Sequence, residues 1–481
     1  MPRIPSNAPS PNPASLCRGP VSRRGFVQAG GLSLLGLGLA DFLKLRATAA
    51  THAPRDTNVI FLWLPGGPPH LETYDMKPEA PMEFRGDFRP IRTNVPGIDV
   101  CELMPLHAKC ADKYTIVRSC CHEFSDHGGG HKRFMTGRRP KEPTGFVNDA
   151  PAATSIMANR LGAQTRDGLP NVIVGTDTGR QGLNVFSLGP AWMGASNTPF
   201  IFHGDPSETD FRLDHLALRD GMAGRLDDRM ALLDGFDRLR REVDARGEMA
   251  AMDDFNRQAV GMLTSEKVRE AFDLSREPRS VRERYGMHRY GQRGLLARRL
   301  VEAGCRFVSM VWEIADDRSR MPKNCTYNWD SHAVNCHLFD DLRWRLPRYD
   351  QALTALIEDI HARGLDRDTL LIATGEFGRT PRINEQTGTQ TGVKQPGRDH
   401  WPNAMSMLVS GGGMRTGQIV GATNAKGEHP VDRILSPNDL WATVYRHLGI
   451  DHNAHTTDLN GVPQRILPFG NPIGEILPRG A

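Results

Sequence analysis

Three polar clusters in the C-terminal half carry the residue types that bind metal ions and anions. They read Trp329-Asp330-Ser331-His332, Gly375-Glu376-Phe377-Gly378-Arg379-Thr380-Pro381 and Gly397-Arg398-Asp399-His400-Trp401-Pro402. Asp330 and His332 stand two apart, so in an extended segment both side chains point the same way and can reach one ion. Glu376 directly follows an apolar run, at what would be a strand's carboxyl end, where ligands gather in open α/β sheets. Adjacent side chains diverge, so His400 is the expected ligand of the Asp399–His400 pair. Asp399 then orients a ligand or serves a second ion. Arg379 and Arg398 offer planar guanidinium groups for an oxyanion.

The N-terminal half adds Ser125-Asp126-His127-Gly128-Gly129-Gly130-His131. Three successive glycines cost a helix roughly 3 kcal/mol relative to alanine, which predicts a loop. Its backbone N–H groups would cradle an anion while the histidines bind metal. His70, Glu72 and Asp75 follow Pro65-Gly66-Gly67-Pro68-Pro69, also after an apolar run. Taken singly, each cluster also reads as a polar turn with a surface histidine or a capping acid. Their shared position at strand ends is what points to a site.

The positioning elements are apolar runs bounded by turn residues. Residues 58–64, 114–117, 171–174, 306–312, 369–374 and 404–409 read as strands, and their continuous apolarity fits strands covered on both faces, as in a parallel sheet. Leu353, Leu356, Ile357 and Ile360 recur at helical spacing before Gly364, as do Leu296, Leu300 and Ala303 before Gly304. Ser436-Pro437-Asn438-Asp439 reads as a helix start. Alternating helices and strands predict a doubly wound α/β sandwich. Residues 203–292 read as a helical insertion over the sheet or the site, and 376–403 as a long loop of the kind that carries function.

Residues 1–49 read as an export signal. Ser22-Arg23-Arg24-Gly25-Phe26-Val27 is a twin-arginine motif, followed by a glycine-broken apolar stretch and an Ala47-Thr48-Ala49 cleavage site. That stretch is shorter than the ~20 residues a membrane span needs, so no transmembrane anchor is expected. The expected location is periplasmic or extracellular. Beyond residue 49 the chain holds 54 basic and 55 acidic residues, a net charge of −1. Nucleic acid is thereby excluded as an expected partner, since it calls for a strongly basic face. Residues 50–481 are expected to form one large α/β domain. Seven cysteines follow residue 49, an odd number that leaves at least one thiol outside any intramolecular disulfide.

The stretch from Met104-Pro105-Leu106-His107 to Thr136-Gly137-Arg138-Arg139-Pro140 resembles the sulfatase segment that carries the nucleophile loop. Tyr349 to Gly378 resembles the sulfatase helix–strand unit that ends in a metal-binding motif. With His70-Leu71-Glu72-Thr73-Tyr74-Asp75 and Gly411-Gly412-Gly413, the chain from 58 to 450 resembles the exported family called domain of unknown function 1501. That family belongs to the alkaline phosphatase and sulfatase superfamily. The resemblance implies a three-layer α/β/α sandwich and a divalent metal, Zn, Ca or Mn, held near Asp330, His332, Glu376, His400 and Asp399. It implies hydrolysis of phosphate or sulfate esters on an anionic small molecule or glycan, with Arg379, Arg398 and His131 at the substrate. The superfamily aspartate after the first strand is here Leu64-Pro65-Gly66-Gly67, and the nucleophile position falls near His127. Activated water, His127 or Ser125 is then the expected nucleophile. The alternative is a non-catalytic metal- or glycan-binding or scaffold protein on the same fold.

Overall fold

The computed structural model describes residues 57–145, 147–162, 165, 167–176, 189–208, 211, 262 and 265–478. The expected export signal lies outside the described residues, as does most of the expected insertion over 203–292. The described end of that insertion is helical, with Glu266–Phe272 and Arg279–Tyr285.

Eight strands form the central sheet: β1 (Asn58–Trp63), β2 (Tyr114–Cys120), β3 (Val172–Thr176), β4 (Phe200–His203), β5 (Phe307–Val311), β6 (Thr369–Thr374), β7 (Met405–Gly411) and β8 (Gln418–Val420). Their order is β8-β2-β7-β6-β1-β5-β3-β4. Six of them are the apolar runs read from the sequence. The sheet is mixed rather than wholly parallel, because β7 runs antiparallel to both β2 and β6. Residues 375–404 connect β6 to β7 without a helix, and a connection lacking a crossover returns the chain antiparallel.

The alternation along β1 sorts the two faces. Val59, Phe61 and Trp63 pack with Phe134, Ile156 and Trp441, which come from α1 (His127–Thr136), α2 (Ala153–Leu161) and a C-terminal helix (Pro437–His447). Ile60 and Leu62 pack with Leu296 and Leu300 of α3 (Arg289–Glu302) and with Leu353, Leu356 and Ile360 of α4 (Leu338–Ala362). The C-terminal helix is α5. The result is the expected three-layer α/β/α sandwich. Pro347 lies inside α4. A proline there costs about 3 kcal/mol, yet each leucine or isoleucine buried along that face returns ~1.5–3 kcal/mol, so packing wins.

Two local expectations are corrected. The triple glycine is not a loop but the first turn of α1. The Asp126 side chain caps it by accepting from Gly128 N (2.8 Å) and Gly129 N (3.4 Å). The glycines allow close packing. A Cβ at Gly128 would meet Gly145 O at 2.5 Å, at Gly129 Pro143 O at 2.6 Å, and at Gly130 the Phe377 ring at 2.8 Å. Residues 376–403 are likewise not an irregular loop. Gly378–Arg379 pairs with His400–Trp401, placing His400 opposite Arg379, and Asn384–Thr387 pairs with Lys394–Gly397. All seven cysteines after residue 49 are free thiols, six of them buried. No helix among the described residues is long and apolar enough to cross a membrane.

Candidate metal centre

The three C-terminal clusters meet beyond the carboxyl ends of β1, β5 and β6, with Asp330 in the middle. Its Oδ1 lies 2.7 Å from Arg379 Nη2, 3.0 Å from His400 Nε2 and 3.2 Å from His332 Nε2. Its Oδ2 lies 3.4 Å from His127 Nε2. The Nε2 atoms of His332 and His400 are 2.9 Å apart. The far side of each ring fixes its tautomer. His400 Nδ1 donates to the Ser125 carbonyl at 2.7 Å, and His332 Nδ1 donates to Asp399 Oδ1 at 2.6 Å. In the neutral rings both Nε2 atoms then carry lone pairs. Burial, with the charges of Arg379 and His127, lowers the His400 pKa to about 4, so that ring is neutral at pH 7. Two imidazole lone pairs and a carboxylate oxygen thus converge on one point, an arrangement that a bound cation would satisfy. Imidazole nitrogen plus carboxylate oxygen is the donor set of a divalent transition metal.

A second group lies deeper. Glu376 is fully buried, and its two oxygens accept from Gly66 N at 2.9 and 3.1 Å. Oε1 also lies 2.9 Å from His127 Nδ1 and 3.4 Å from His131 Nε2. His122 Nε2 donates to the Glu376 carbonyl at 2.5 Å, while its Nδ1 accepts from Phe124 N. Burial works to raise the Glu376 pKa, but His131 and His127 more than offset it and hold the carboxyl well below its ordinary range. Asp330 is depressed likewise, with burial opposed by the charge of Arg379 and by His127. Burial opposes a charge on His127, yet its bonds to Asp330 and Glu376 raise its pKa to about 9.

The turn after β1 explains why this arrangement folds. Gly66 has φ +108°, and a Cβ there would meet Asp330 N at 2.5 Å. Glycine lets the Trp329–Asp330 backbone pass directly over the turn while Gly66 N–H holds Glu376. Where the resemblance placed an aspartate ligand, this chain supplies a backbone donor. Neither that donor nor His122 was among the residues singled out from the sequence. The sequence signal for the first is the glycine pair at a strand's end.

Asp330, His332 and His400 come together, and Asp399 sits behind His332 with its other oxygen 2.5 Å from Asn384 Nδ2. Glu376 joins His127 and His131 instead. The two arginines are internal braces, not open anion ligands. Arg379 is fully buried and donates to the carbonyls of Gly66, Gly67, Trp329 and Arg398 besides Asp330. Every N–H of Arg398 is engaged, by Glu72, Thr380 O, Pro381 O and Phe84 O. His131 is buried beside Glu376, away from any approaching substrate. Both nitrogens of His127 face carboxylates, which leaves none poised as a nucleophile. The glycine N–H groups expected to cradle an anion are turned to Asp126: Gly128 and Gly129 to its side chain, Gly130 to its carbonyl. His70 donates to Gly427 O, and Asp75 pairs with Lys77 and Thr423.

Several solved structures resemble this chain at low similarity. A sulfatase, PsFucS1, from Pseudoalteromonas sp. has 12% identity and a TM-score of 0.35, with 85% of this chain and 70% of that one covered. A variant of TAB5 alkaline phosphatase with Mg bound has 9% identity and a TM-score of 0.36, covering 82% and 98%. The phosphonate monoester hydrolase SpPMH from Silicibacter pomeroyi has 11% identity and a TM-score of 0.36, covering 87% and 76%. None of the curated proteins matches this chain. The family model described as "Protein of unknown function (DUF1501)" matches residues 56–477, and the chain belongs to that family.

Proposed function

We propose that this chain is an exported, metal-dependent hydrolase of phosphate or sulfate esters, acting on an anionic small molecule or glycan. The observation that carries the reading is the convergence of His332 Nε2, His400 Nε2 and Asp330 Oδ1, with His127 Nε2 beside them. The imidazole-rich donor set favours Zn or Mn over Ca, which takes six to eight oxygens. When bound there, a divalent ion would supply Lewis acidity toward an ester oxygen or a water.

The side chains define the rest. His332 and His400 remain partly exposed, 20% and 16%, so a substrate group reaches the cluster from the surface. Asp399 and the Ser125 carbonyl hold the two rings in the tautomers that aim lone pairs inward. Arg379 keeps Asp330 ionised. With both nitrogens of His127 occupied, activated water is the favoured nucleophile. The second reading, a non-catalytic metal- or glycan-binding protein, draws support from one observation: Arg379 and Arg398 are turned inward and do not meet a substrate anion.

Metal analysis of the purified chain, followed by assays on p-nitrophenyl phosphate and sulfate, separates the two. The hydrolase reading expects bound divalent metal and turnover abolished by chelation, by Asp330→Ala and by His400→Ala. Ligand affinity that survives chelation, with no turnover of either ester, supports the binding reading instead.

A further inference from the structure

We propose that the imidazole of His127 bridges two metal ions, an outer one at Asp330, His332 and His400 and an inner one held by Glu376 and His131. The inference rests on the outer metal site argued above and adds a second, buried site to it. His127 presents Nδ1 to Glu376 Oε1 at 2.9 Å and Nε2 to Asp330 Oδ2 at 3.4 Å. The lone pairs of one ring diverge, so no single ion takes both nitrogens. Donor atoms of His127, His131 and Glu376 lie within 4.8 Å of one another, and so do those of His127, Asp330 and His400. One ring belongs to both groups.

The inner group has the marks of a built site. His127 and His131 are four apart on α1 and so share one helix face. Glu376 is held by Gly66 N–H at both oxygens and by His122 at its own carbonyl. Trp63 stands against His131 and Phe377 against His127, closing the group off with aromatic rings. Charge adds a second argument. Asp330 has the guanidinium of Arg379 at 2.7 Å, a permanent cation. Among the described residues, Glu376 has only histidines in ion-pair range, although it is fully buried. A buried carboxylate needs a cation; in the metal-free chain protonated His127 serves, and the imidazole nitrogens beside Glu376 form a donor set by which a metal ion takes that place.

The bridge differs from the usual paired hydrolytic metals. Those lie about 3.5–4 Å apart, whereas ions bonded at ~2.0–2.1 Å to opposite nitrogens of one ring lie about 6 Å apart. Forming the bridge takes the ring to the imidazolate, with its protons released to solvent as the ions bind. The inner ion is enclosed and fixes the His127 ring, and the outer ion faces the substrate.

The test loads the full chain with Zn, and in parallel with Cu(II), after removal of bound metal. Two ions per chain are expected, with an exchange-coupled pair in the electron paramagnetic resonance spectrum of the Cu(II) form. Glu376→Gln and His131→Gln should each lower the content to one ion and restore an isolated-ion spectrum. Asp330→Ala should also leave one ion, at the inner group. A cooperative thermal transition in each variant confirms that it is folded. One ion per chain in the unaltered protein, two uncoupled ions, or a metal–metal distance of about 3.5–4 Å overturns the bridge. The ester assays stand apart: two coupled ions without turnover would sink the hydrolase and keep the bridge, and turnover with one ion the reverse.

Discussion

Asp399 illustrates what a single residue does without touching the metal position. It accepts from His332 Nδ1, and Asn384 steadies its second oxygen. Asp399→Asn removes the charge that fixes the ring's tautomer while keeping the shape. Metal affinity should fall ~10–100-fold, the usual effect of losing a partner behind a histidine ligand, with the unfolding midpoint nearly unchanged. Competition with a chelator of known affinity measures it, and an unaltered affinity would remove Asp399 from the site. The metal-binding types were legible in the sequence because Asp330 and His332 stand at strand spacing and Glu376 ends an apolar run. The arginines were misread for a physical reason. Residue type announces that a guanidinium binds oxygen, but only tertiary burial decides that the oxygens are Glu72 and the backbone carbonyls around Arg379 and Arg398 rather than a ligand's.

At the scale of elements, the turn after β1 couples the sheet to the site. Gly66→Ala forces a Cβ to within 2.5 Å of Asp330 N and 2.8 Å of the Trp329 carbonyl carbon, at a φ that alanine disfavours. The strain alone amounts to about 1–3 kcal/mol, and relieving it moves both Asp330 and the donor to Glu376. Denaturant unfolding should show at least that loss, together with loss of bound metal. Stability and metal content both unchanged would mean that the turn does not set the site's geometry. The six strands were readable because continuous apolarity is a local signal. Helix α1 was not, since summed glycine propensity ignores what Asp126, Pro143, Gly145 and Phe377 do to that segment from outside it. The paired strands within 376–403 escaped for the same reason. Their apolar content is low, and Gly378–Arg379 finds its partner, His400–Trp401, more than twenty residues on.

For the whole molecule, the buried histidines predict how stability depends on pH once metal is removed. His127 has a folded pKa of about 9 against about 6.5 in the unfolded chain. A raised pKa contributes stability that is fully present below about 6.5 and is lost as pH rises through 9, here about 3 kcal/mol. His70, His122 and His400 are shifted the other way, to about 4, with burial the largest cause in each case. They oppose protonation in the folded state, so they destabilise the chain as pH falls from about 6.5 toward 4. The chelator-treated protein should therefore be most stable near neutrality and weaken on both sides. The two limbs have different owners, which makes the prediction specific. His127→Gln should flatten the limb between pH 6.5 and 9 and leave the acid limb in place. With metal bound, ions stand where His127 would carry protons, so the alkaline limb should also disappear from the loaded protein. Urea midpoints measured from pH 5 to pH 9.5, with and without chelator, read both effects. An alkaline limb that persists in His127→Gln would show that the charge shared between Asp330 and Glu376 does not reside on that ring.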